Sequence, residues 1–483
     1  MDISRNDFLK EKSLKMAAFY NGVAEERNNW INKNRYYYDY LQRIFKFFVE
    51  PNSRVLLMRS DTGLLLNALE PKYGVGVDYS ETMIRKAQEN YPHLKFVYQD
   101  LENLTIDEKF DYVILFNLLD DVPDAQKVFQ ELRKVTTAKT RIILSNVNSF
   151  WHPIFKLTEK IGLKMPQLTL NWLSLPDLEN LLYLAGFEVI KKNHVILFPK
   201  YIPVVSWFLN KIVAQIPGLN RLCLLQVLVA KPIINKNNYN DYSCSIVVPC
   251  KNEEGNIEGA VKRVPQMGKV TEIILVDDKS IDGTRAEILK WQKFFPEKNI
   301  KLVDGPGVCK SLAVWEGFKN ATGDILMILD ADLTVIPEEL PLFFKALVEG
   351  KGEFINGSRL VYPMEGQAMH TLNIVGNKFF GLAFSYLLNQ RIKDTLCGTK
   401  VFFRDDFERI KKYIGSWGIV DRWGDYDLLF GAAKLNLKII DLPVHYYERT
   451  FGETKMKKRF KNGLIMLRMC LAAFKKLKSI ASN

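Results

Sequence analysis

Apolar residues along this chain fall into two kinds of run. Short blocks dense in Val, Ile and Leu alternate with longer segments in which apolar positions recur every three or four residues. The short blocks read as strands buried on both faces of a parallel sheet, the longer segments as amphipathic helices. Residues 1–50 read as helical, with an aromatic-rich amphipathic stretch over 36–48. The first series of blocks follows: Arg54-Val-Leu-Leu-Met58, Gly74-Val-Gly-Val-Asp78, Phe110-Asp-Tyr-Val-Ile-Leu-Phe116 and Arg141-Ile-Ile-Leu-Ser145. Ser174-Leu-Pro-Asp-Leu-Glu179 opens a helix, and strands are expected over 189–198 and 224–229. A second series starts at Ser245-Ile-Val-Val-Pro249 and continues through Glu272-Ile-Ile-Leu-Val-Asp-Asp278 and Lys301-Leu-Val-Asp304. A helix over 311–320 then leads to five consecutive apolar residues, 325–329. Strands alternating with helices predict two doubly wound α/β domains. The Asn- and Lys-rich stretch between them is the clearest linker. The expected division is 1–230, a linker at 231–242, a second domain at 243–454 and a tail at 455–483.

Length and composition agree with this division. At 483 residues the chain is too long for one ordinary domain, and 47% hydrophobic with 12% aromatic content excludes a disordered chain. No uncharged apolar run reaches the ~18–20 residues needed to span a bilayer. The first fifteen residues are charged and lack an apolar core, so no signal peptide is expected. Six cysteines with no C-x-x-C pair and five dispersed histidines point to a reduced, cytoplasmic protein without a zinc site.

Net charge, +12, changes the picture more. Residues 455–483 hold nine Lys or Arg and no acid. Over 463–478 a helical projection gathers Met466, Leu467, Met469, Cys470, Phe474 and Leu477 on one side. Arg468, Lys475, Lys476 and Lys478 gather on the other. Such a helix suits an anionic membrane surface better than nucleic acid, which is not expected as a partner. The competing reading docks the helix on the domain with its basic face in water. Residues 372–388 are apolar but too short to span. Residues 201–210 form either a hairpin touching lipid or a helix packed on the other domain, with packing preferred.

The candidate chemistry lies where strands end. The apolar run at 325–329 leads into Asp330 and Asp332, which in extended chain project to the same side and can converge. A divalent cation held by one or two carboxylates and by substrate phosphates fits that pair. The bland reading is a solvated strand end whose acids cap the helix starting near Pro337. Two further strand ends bring Glu253 and the pair Asp277, Asp278 to the same edge, where ligands of open α/β sheets bind. Like charges gathered this way repel unless cations or hydrogen-bond donors offset them.

These motifs are Val-Val-Pro-x-x-Asn-Glu, Val-Asp-Asp-x-Ser-x-Asp-Gly-Thr, Gly-Asp-x-x-x-x-x-Asp-Ala-Asp-Leu and Gly357-Ser-Arg359. Together with Asp394-Thr-Leu-Cys-Gly-Thr-Lys400 and Gly424-Asp-Tyr-Asp-Leu-Leu429 they resemble family 2 glycosyltransferases of the GT-A fold. The similar branch is that of the dolichyl- and polyprenyl-phosphate sugar synthases. The resemblance implies an inverting transfer from a nucleotide-sugar donor to a polyprenyl phosphate or glycolipid acceptor, peripheral at the inner face of the plasma membrane. It implies that Pro249, Glu253, Asp277 and Asp278 border the nucleoside, and that Asp330 and Asp332 bind Mg2+ or Mn2+. Arg359 then faces the acceptor phosphate, and Asp394 and Lys400 either line the acceptor side or serve as a cap and a surface charge. Thr334 stands where the mannose synthase motif has Gln. The loop Gly305-Pro-Gly-Val-Cys-Lys-Ser311 departs from the family's glycine-rich form. It is no ATP-binding loop, because Cys309 replaces a required glycine, but it leaves Lys310 in reach of a donor phosphate. An anionic lipid phosphate needs no base. A sugar hydroxyl does, and Asp425 or Asp427 is the candidate, unless these two position the acceptor or pair with Arg422.

The first domain resembles class I S-adenosylmethionine-dependent methyltransferases. The resemblance assigns Asp78 to the cofactor ribose and Asp100, in Tyr98-Gln-Asp100, to the adenine. The glycine-rich turn is reduced to Arg59-Ser-Asp-Thr-Gly63, where Arg59 and Asp61 crowd the cofactor position and only Gly63 remains. The expectation is a methyltransferase fold without methyl transfer. The rivals are a bifunctional methyl- and glycosyltransferase of surface polysaccharide synthesis and a membrane-associated scaffold with relic sites.

Overall fold

The computed structural model describes residues 5–168, 171, 173–234, 237–363, 371–418, 420–452 and 459–478. It divides into two units, Met1–Ile233 and Ile234–Lys478.

In the first unit, helices Arg5–Val23, Arg27–Lys33 and Arg35–Phe48 precede a seven-stranded sheet. Its strands are β1 (Arg54–Met58), β2 (Tyr73–Asp78), β3 (Lys95–Tyr98), β4 (Tyr112–Phe116), β5 (Arg141–Val147), β6 (Phe187–Val195) and β7 (Leu225–Pro232). They are ordered β3-β2-β1-β4-β5-β7-β6, and β7 runs antiparallel to both its neighbours. The pleat sends alternate residues to opposite layers. Val55 and Leu57 of β1 pack with Leu41, Ile44 and Phe45 of helix Arg35–Phe48. Leu56 and Met58 pack with helices Ala125–Val135 and Leu175–Leu184. Those two helices start where polar side chains supply caps. The Asp124 carboxylate accepts the Lys127 N–H, and Ser174 forms a capping box with Asp177.

The second unit repeats the scheme. Its strands are β8 (Cys244–Cys250), β9 (Thr271–Asp277), β10 (Asn299–Asp304), β11 (Ile325–Ile328), β12 (Phe354–Ser358), β13 (Lys400–Phe403) and β14 (Ile439–Pro443). The order is β10-β9-β8-β11-β13-β12-β14, parallel except for β13. Register fixes what reaches the carboxyl edge. Cys250 lies opposite Asp277, Asp277 opposite Asp304, and Val247 opposite Ile328. Continuing the last pairing brings Asp330 level with Pro249.

Two expectations change here. The strand predicted over 325–329 stops at Ile328, so Asp330 and Asp332 sit in a turn closed by Leu333 N–H donating to Asp330 O (3.2 Å), with Leu333 at φ 54°. A turn, not strand pleating, therefore directs the two carboxylates.

The tail forms helix Arg459–Leu477; residues 453–458 and 479–483 lie outside the described residues. Met466, Met469, Cys470, Ala473 and Leu477 are buried, and the helix packs against helix Thr371–Leu388, with the Phe474 and Tyr386 rings stacked at 6.4 Å. One stripe of the tail helix is thus docked on its own unit. Leu467, expected on that stripe, is exposed with Phe460, Leu464 and Leu471. Among the described residues no helix is long and apolar enough to cross a membrane.

Candidate active site

The loops beyond β8, β10, β11 and β14 build a charged cluster in the second unit. Lys310 opens helix Lys310–Lys319, and its ammonium lies 2.5 Å from Asp330 Oδ1. Burial disfavours that ammonium, but Asp330, Asp425 and Asp332 together raise its pKa well above the ordinary value. Burial likewise opposes the Asp330 charge, and Lys310, with Arg359 and Lys400 beyond it, outweighs burial and holds the carboxyl low. Asp332 is oriented by Thr334, whose hydroxyl donates to Oδ1 at 2.9 Å, while Oδ2 pairs with the Arg449 guanidinium. Arg449 also lies 3.7 Å from Glu253 Oε1. Glu253 is buried, accepts the Asn256 side-chain amide at 2.7 Å, and donates its own N–H to Thr284.

A second pair of charges stands behind. Lys400 is fully buried, 2.8 Å from Asp425 Oδ1, and donates to Cys397 O. Asp394, also fully buried, accepts Arg359 Nε at 2.7 Å and Nη2 at 2.9 Å, the Asn377 amide, and the Arg359 and Leu396 N–H groups. Those partners hold its pKa far below the carboxylate range against burial. The surface-charge reading of Lys400 is therefore corrected: both residues are interior. Arg359 directs its fork to Asp394 and lies over the Tyr446 ring, 5.1 Å from its centre. Lys400, not Arg422, is the cation found beside Asp425.

Other candidates fall outside the cluster. Asp277 Oδ1 accepts the Ser280 N–H, and Arg285 approaches Oδ2 at 3.5 Å. Asp278 accepts the Gly307 N–H and lies 3.6 Å from Lys251, so it ties down the 305–308 loop. Pro249 is partly exposed on β8. Asp427 accepts the Gly415 N–H at 3.3 Å, and burial beside Asp421 pushes its carboxyl up to about 7.

Three contributors were not singled out from sequence. Arg449 comes from a loop 117 residues beyond Asp332. Asp421 accepts the N–H groups of Trp423, Tyr426 and Asp427 and so fixes the start of helix Asp425–Lys434. Gly398 backs Asp330: a Cβ there would stand 2.2 Å from Asp330 Oδ2. The Cys-Gly-Thr step inside the quoted motif was the available signal for Gly398. Nothing local marks the other two.

Among the described residues no three His, Cys, Asp or Glu side chains gather into a cage for an ion. Asp330 and Asp332 stand in one turn, the first paired with Lys310 and the second with Arg449.

In the first unit the corresponding edge is closed by its own side chains. Arg59 pairs with Asp121 and lies over the Tyr20 ring at 4.6 Å, and Tyr20 OH donates to Asp121 at 2.8 Å. Arg27 Nε donates to Asp61 at 2.6 Å. Asp78, assigned to a ribose, accepts the Asp61 and Ser80 N–H groups, both at 2.9 Å, and burial raises its carboxyl to about 6. Gly63 only begins the short helix Leu64–Ala68. Asp100 is exposed and accepts the Glu102 N–H and the Asn103 amide within its own turn. The cavity left beside Arg59–Thr62 is about 30 Å³, room for about two waters. These residues do not fit S-adenosylmethionine. The larger opening, about 290 Å³, lies by Asp120, His152 and Lys156.

Comparison with known proteins agrees with both units. Residues 245–411 match the sequence profile of glycosyl transferase family 2, and residues 61–174 match a methyltransferase domain. A dolichol-phosphate mannosyltransferase of Pyrococcus furiosus is 36% identical over 119 residues, 24% of this chain and 33% of that protein. An undecaprenyl-phosphate 4-deoxy-4-formamido-L-arabinose transferase of Pectobacterium carotovorum subsp. carotovorum is 38% identical over 111 residues, 22% of this chain and 34% of that protein. The chain spans about a third of the length of these curated relatives. A mannosyltransferase from Pyrobaculum calidifontis, solved with GDP-Man and Mn2+, is 18% identical, covering 52% of this chain and 67% of that one, with a TM-score of 0.36. The chain thus carries a glycosyl transferase family 2 domain behind a methyltransferase domain, as the motifs led us to expect.

Proposed function

We propose that the second unit is an inverting, metal-assisted glycosyltransferase that moves a sugar from a nucleotide-sugar donor to a polyprenyl phosphate or related lipid-linked acceptor. The observation that carries this reading is the Lys310 ammonium 2.5 Å from Asp330 at the carboxyl edge of the sheet, with Asp425 and Asp332 adding to the field that raises its pKa. The charges there are balanced in pairs. Mg2+ or Mn2+ held by Asp330 and Asp332 would supply electrostatic stabilisation of the leaving diphosphate. Lys310 and Arg449, each now on one of these acids, are placed to turn to donor phosphates once the acids take a cation. The guanidinium of Arg449 suits two phosphate oxygens, and Lys310 acts as a point charge. Arg359 is set by the buried Asp394 and remains near enough to Asp330 to lower its pKa. It therefore adds positive charge where an acceptor phosphate would approach. An acceptor phosphate is already anionic and needs no base. For a hydroxyl acceptor, Asp425 beside Lys400 is the better-placed proton acceptor, because Asp427 points to Gly415.

The acceptor's lipid chain suits an attachment at the inner face of the membrane. The tail helix exposes Phe460, Leu464, Leu467 and Leu471, and helix Thr371–Leu388 exposes Val375, Phe379 and Leu382. Lys461, Arg468 and Lys475 flank the tail stripe, each contributing about 1 kcal/mol beside anionic lipid. The methyltransferase unit is read as catalytically silent. The test is a screen of UDP-, GDP- and dTDP-sugars with Mn2+ and a polyprenyl phosphate, following nucleoside diphosphate release and labelled lipid. Transfer from one donor, lost on chelation, is the expected result. Failure of every donor to bind would remove the reading.

A further inference from the structure

Residues 201–222 of the first unit are built inside out. The segment leaves β6, forms helix Val205–Lys211 and two short helical turns, and returns to β7. Two of its polar residues face inward. Ser206 and Asn210 are each 1% exposed. The Ser206 hydroxyl donates to Ile202 O and accepts the Ile202 N–H at 2.8 Å. The Asn210 side chain accepts the Leu197 and Phe198 N–H groups at 2.8 Å and donates to Phe198 O and to Tyr36 OH. Its apolar residues face outward. Tyr201, Val204, Trp207, Phe208, Ile212 and Ile216 are all exposed, Val204 by 77% and Trp207 by 53%.

A neighbouring element extends this surface. Trp151 Nε1 donates to Leu222 O and the Asn148 amide donates to Arg221 O, which tie the hairpin to the start of helix His152–Lys160. Phe150, Ile154, Leu157 and Ile161 follow at helical spacing, and all four are exposed. Isolated exposed apolar residues are ordinary, whereas a contiguous patch pinned open by buried hydrogen bonds marks an interaction surface.

Charge selects the occupant. Over residues 199–222 the chain holds Lys200, Lys211 and Arg221 and no acid. Arg221 is exposed and Lys200 and Lys211 are half-buried, Lys200 donating to Asn34 Oδ1 at 2.7 Å, and in sequence they flank or interrupt the stretch that carries Tyr201 and Trp207. An apolar tip with aromatic rings and a basic rim is the composition that settles at the headgroup level of an anionic bilayer. We infer that residues 201–222 insert into the surface of an anionic membrane and seat the first unit on lipid, on residues distinct from those of the tail helix and whether or not the second unit transfers sugar.

The test uses the full chain with Leu464, Leu467 and Leu471 already changed to Ser, so that the tail stripe is removed from the measurement. Hydrogen exchange is followed with and without vesicles of phosphatidylcholine mixed with phosphatidylglycerol. Exchange in 201–222 should slow on the vesicles. A further Trp207→Ser, Phe208→Ser change should lower vesicle partitioning about tenfold or more with unchanged thermal unfolding, because both side chains are solvent-facing and the Ser206 and Asn210 bonds remain. Three outcomes would each overturn the inference. One is unchanged exchange across 201–222 while the protein floats with vesicles. Another is protection that appears with protein concentration and a doubled mass, which assigns the surface to a second copy. The last is protection in the vesicle-free monomer, which assigns it to the rest of the chain.

Discussion

The two units place acids at the carboxyl edge of the same kind of sheet and use them in opposite ways. In the first, Arg59 and Asp121 are 12% and 4% exposed, and each is held by additional partners, the Tyr20 ring and hydroxyl. In the second, Lys310 and Asp330 are 29% and 33% exposed, and Lys310 reaches its partners from the first turn of a helix. A buried pair cannot lose one member without leaving an uncompensated charge, whereas a half-exposed pair exchanges its partner for an incoming ligand at lower cost. One edge is thereby a lock and the other a socket, although both read as strand ends with acids.

The largest effect expected from this contrast is on turnover. Asp332→Asn or Asp330→Asn should reduce sugar transfer by about a thousandfold or more, with folding retained by circular dichroism; unchanged transfer would remove the socket. Thr334→Val, which frees Asp332 to rotate, should cost about tenfold in metal activation measured as the Mn2+ dependence of rate.

Stability separates the two edges more directly. Arg59→Ala should lose about 3–5 kcal/mol from the first unit in denaturant unfolding, while Lys310→Ala should lose less than about 1 kcal/mol. Equal losses would erase the distinction. S-adenosylmethionine should give no binding heat with the full chain; tight binding would show that the Arg59 and Arg27 pairs open.

The smallest effect concerns pH. Burial beside Asp121 raises Asp120 from 3.8 to about 7. The folded state therefore binds this proton more tightly than the unfolded chain, and the group lowers stability progressively as pH rises from about 4 through 7. Asp120→Asn should stabilise the first unit by about 2 kcal/mol at pH 8, a shift of about 5 °C, and leave it unchanged at pH 4. A variant that shifts equally at both pH values would assign the effect to packing.

Much of this was legible in the sequence. The central strand blocks announced themselves because both sheet faces are covered there, so they read as apolar runs, whereas β3, β12, β13 and β14 carry polar or charged residues and were not picked out. Asp330, Asp332 and Lys310 could be singled out beforehand because they follow a strand block or begin a helix, although a turn rather than the strand sets the two acids. What stayed hidden depends on partners far along the chain. Arg449 lies over a hundred residues from the acid it pairs with, and Arg27 and Tyr20 reach Asp61 and Asp121 from helices that carry no motif. At 201–210, where packing was preferred over lipid contact, nothing local showed that Ser206 and Asn210 turn inward and the large apolar residues turn out. Polarity misled at Leu467, because the tail helix carries two apolar stripes and only one is docked.

Gly398 shows how a reactive oxygen can be positioned by an absence of atoms. Asp330 occupies space that any other amino acid at 398 would claim, so the orientation of its carboxylate is written into the loop before β13 as a blank. Even alanine at that site should misdirect the acid while leaving every charge in the cluster intact.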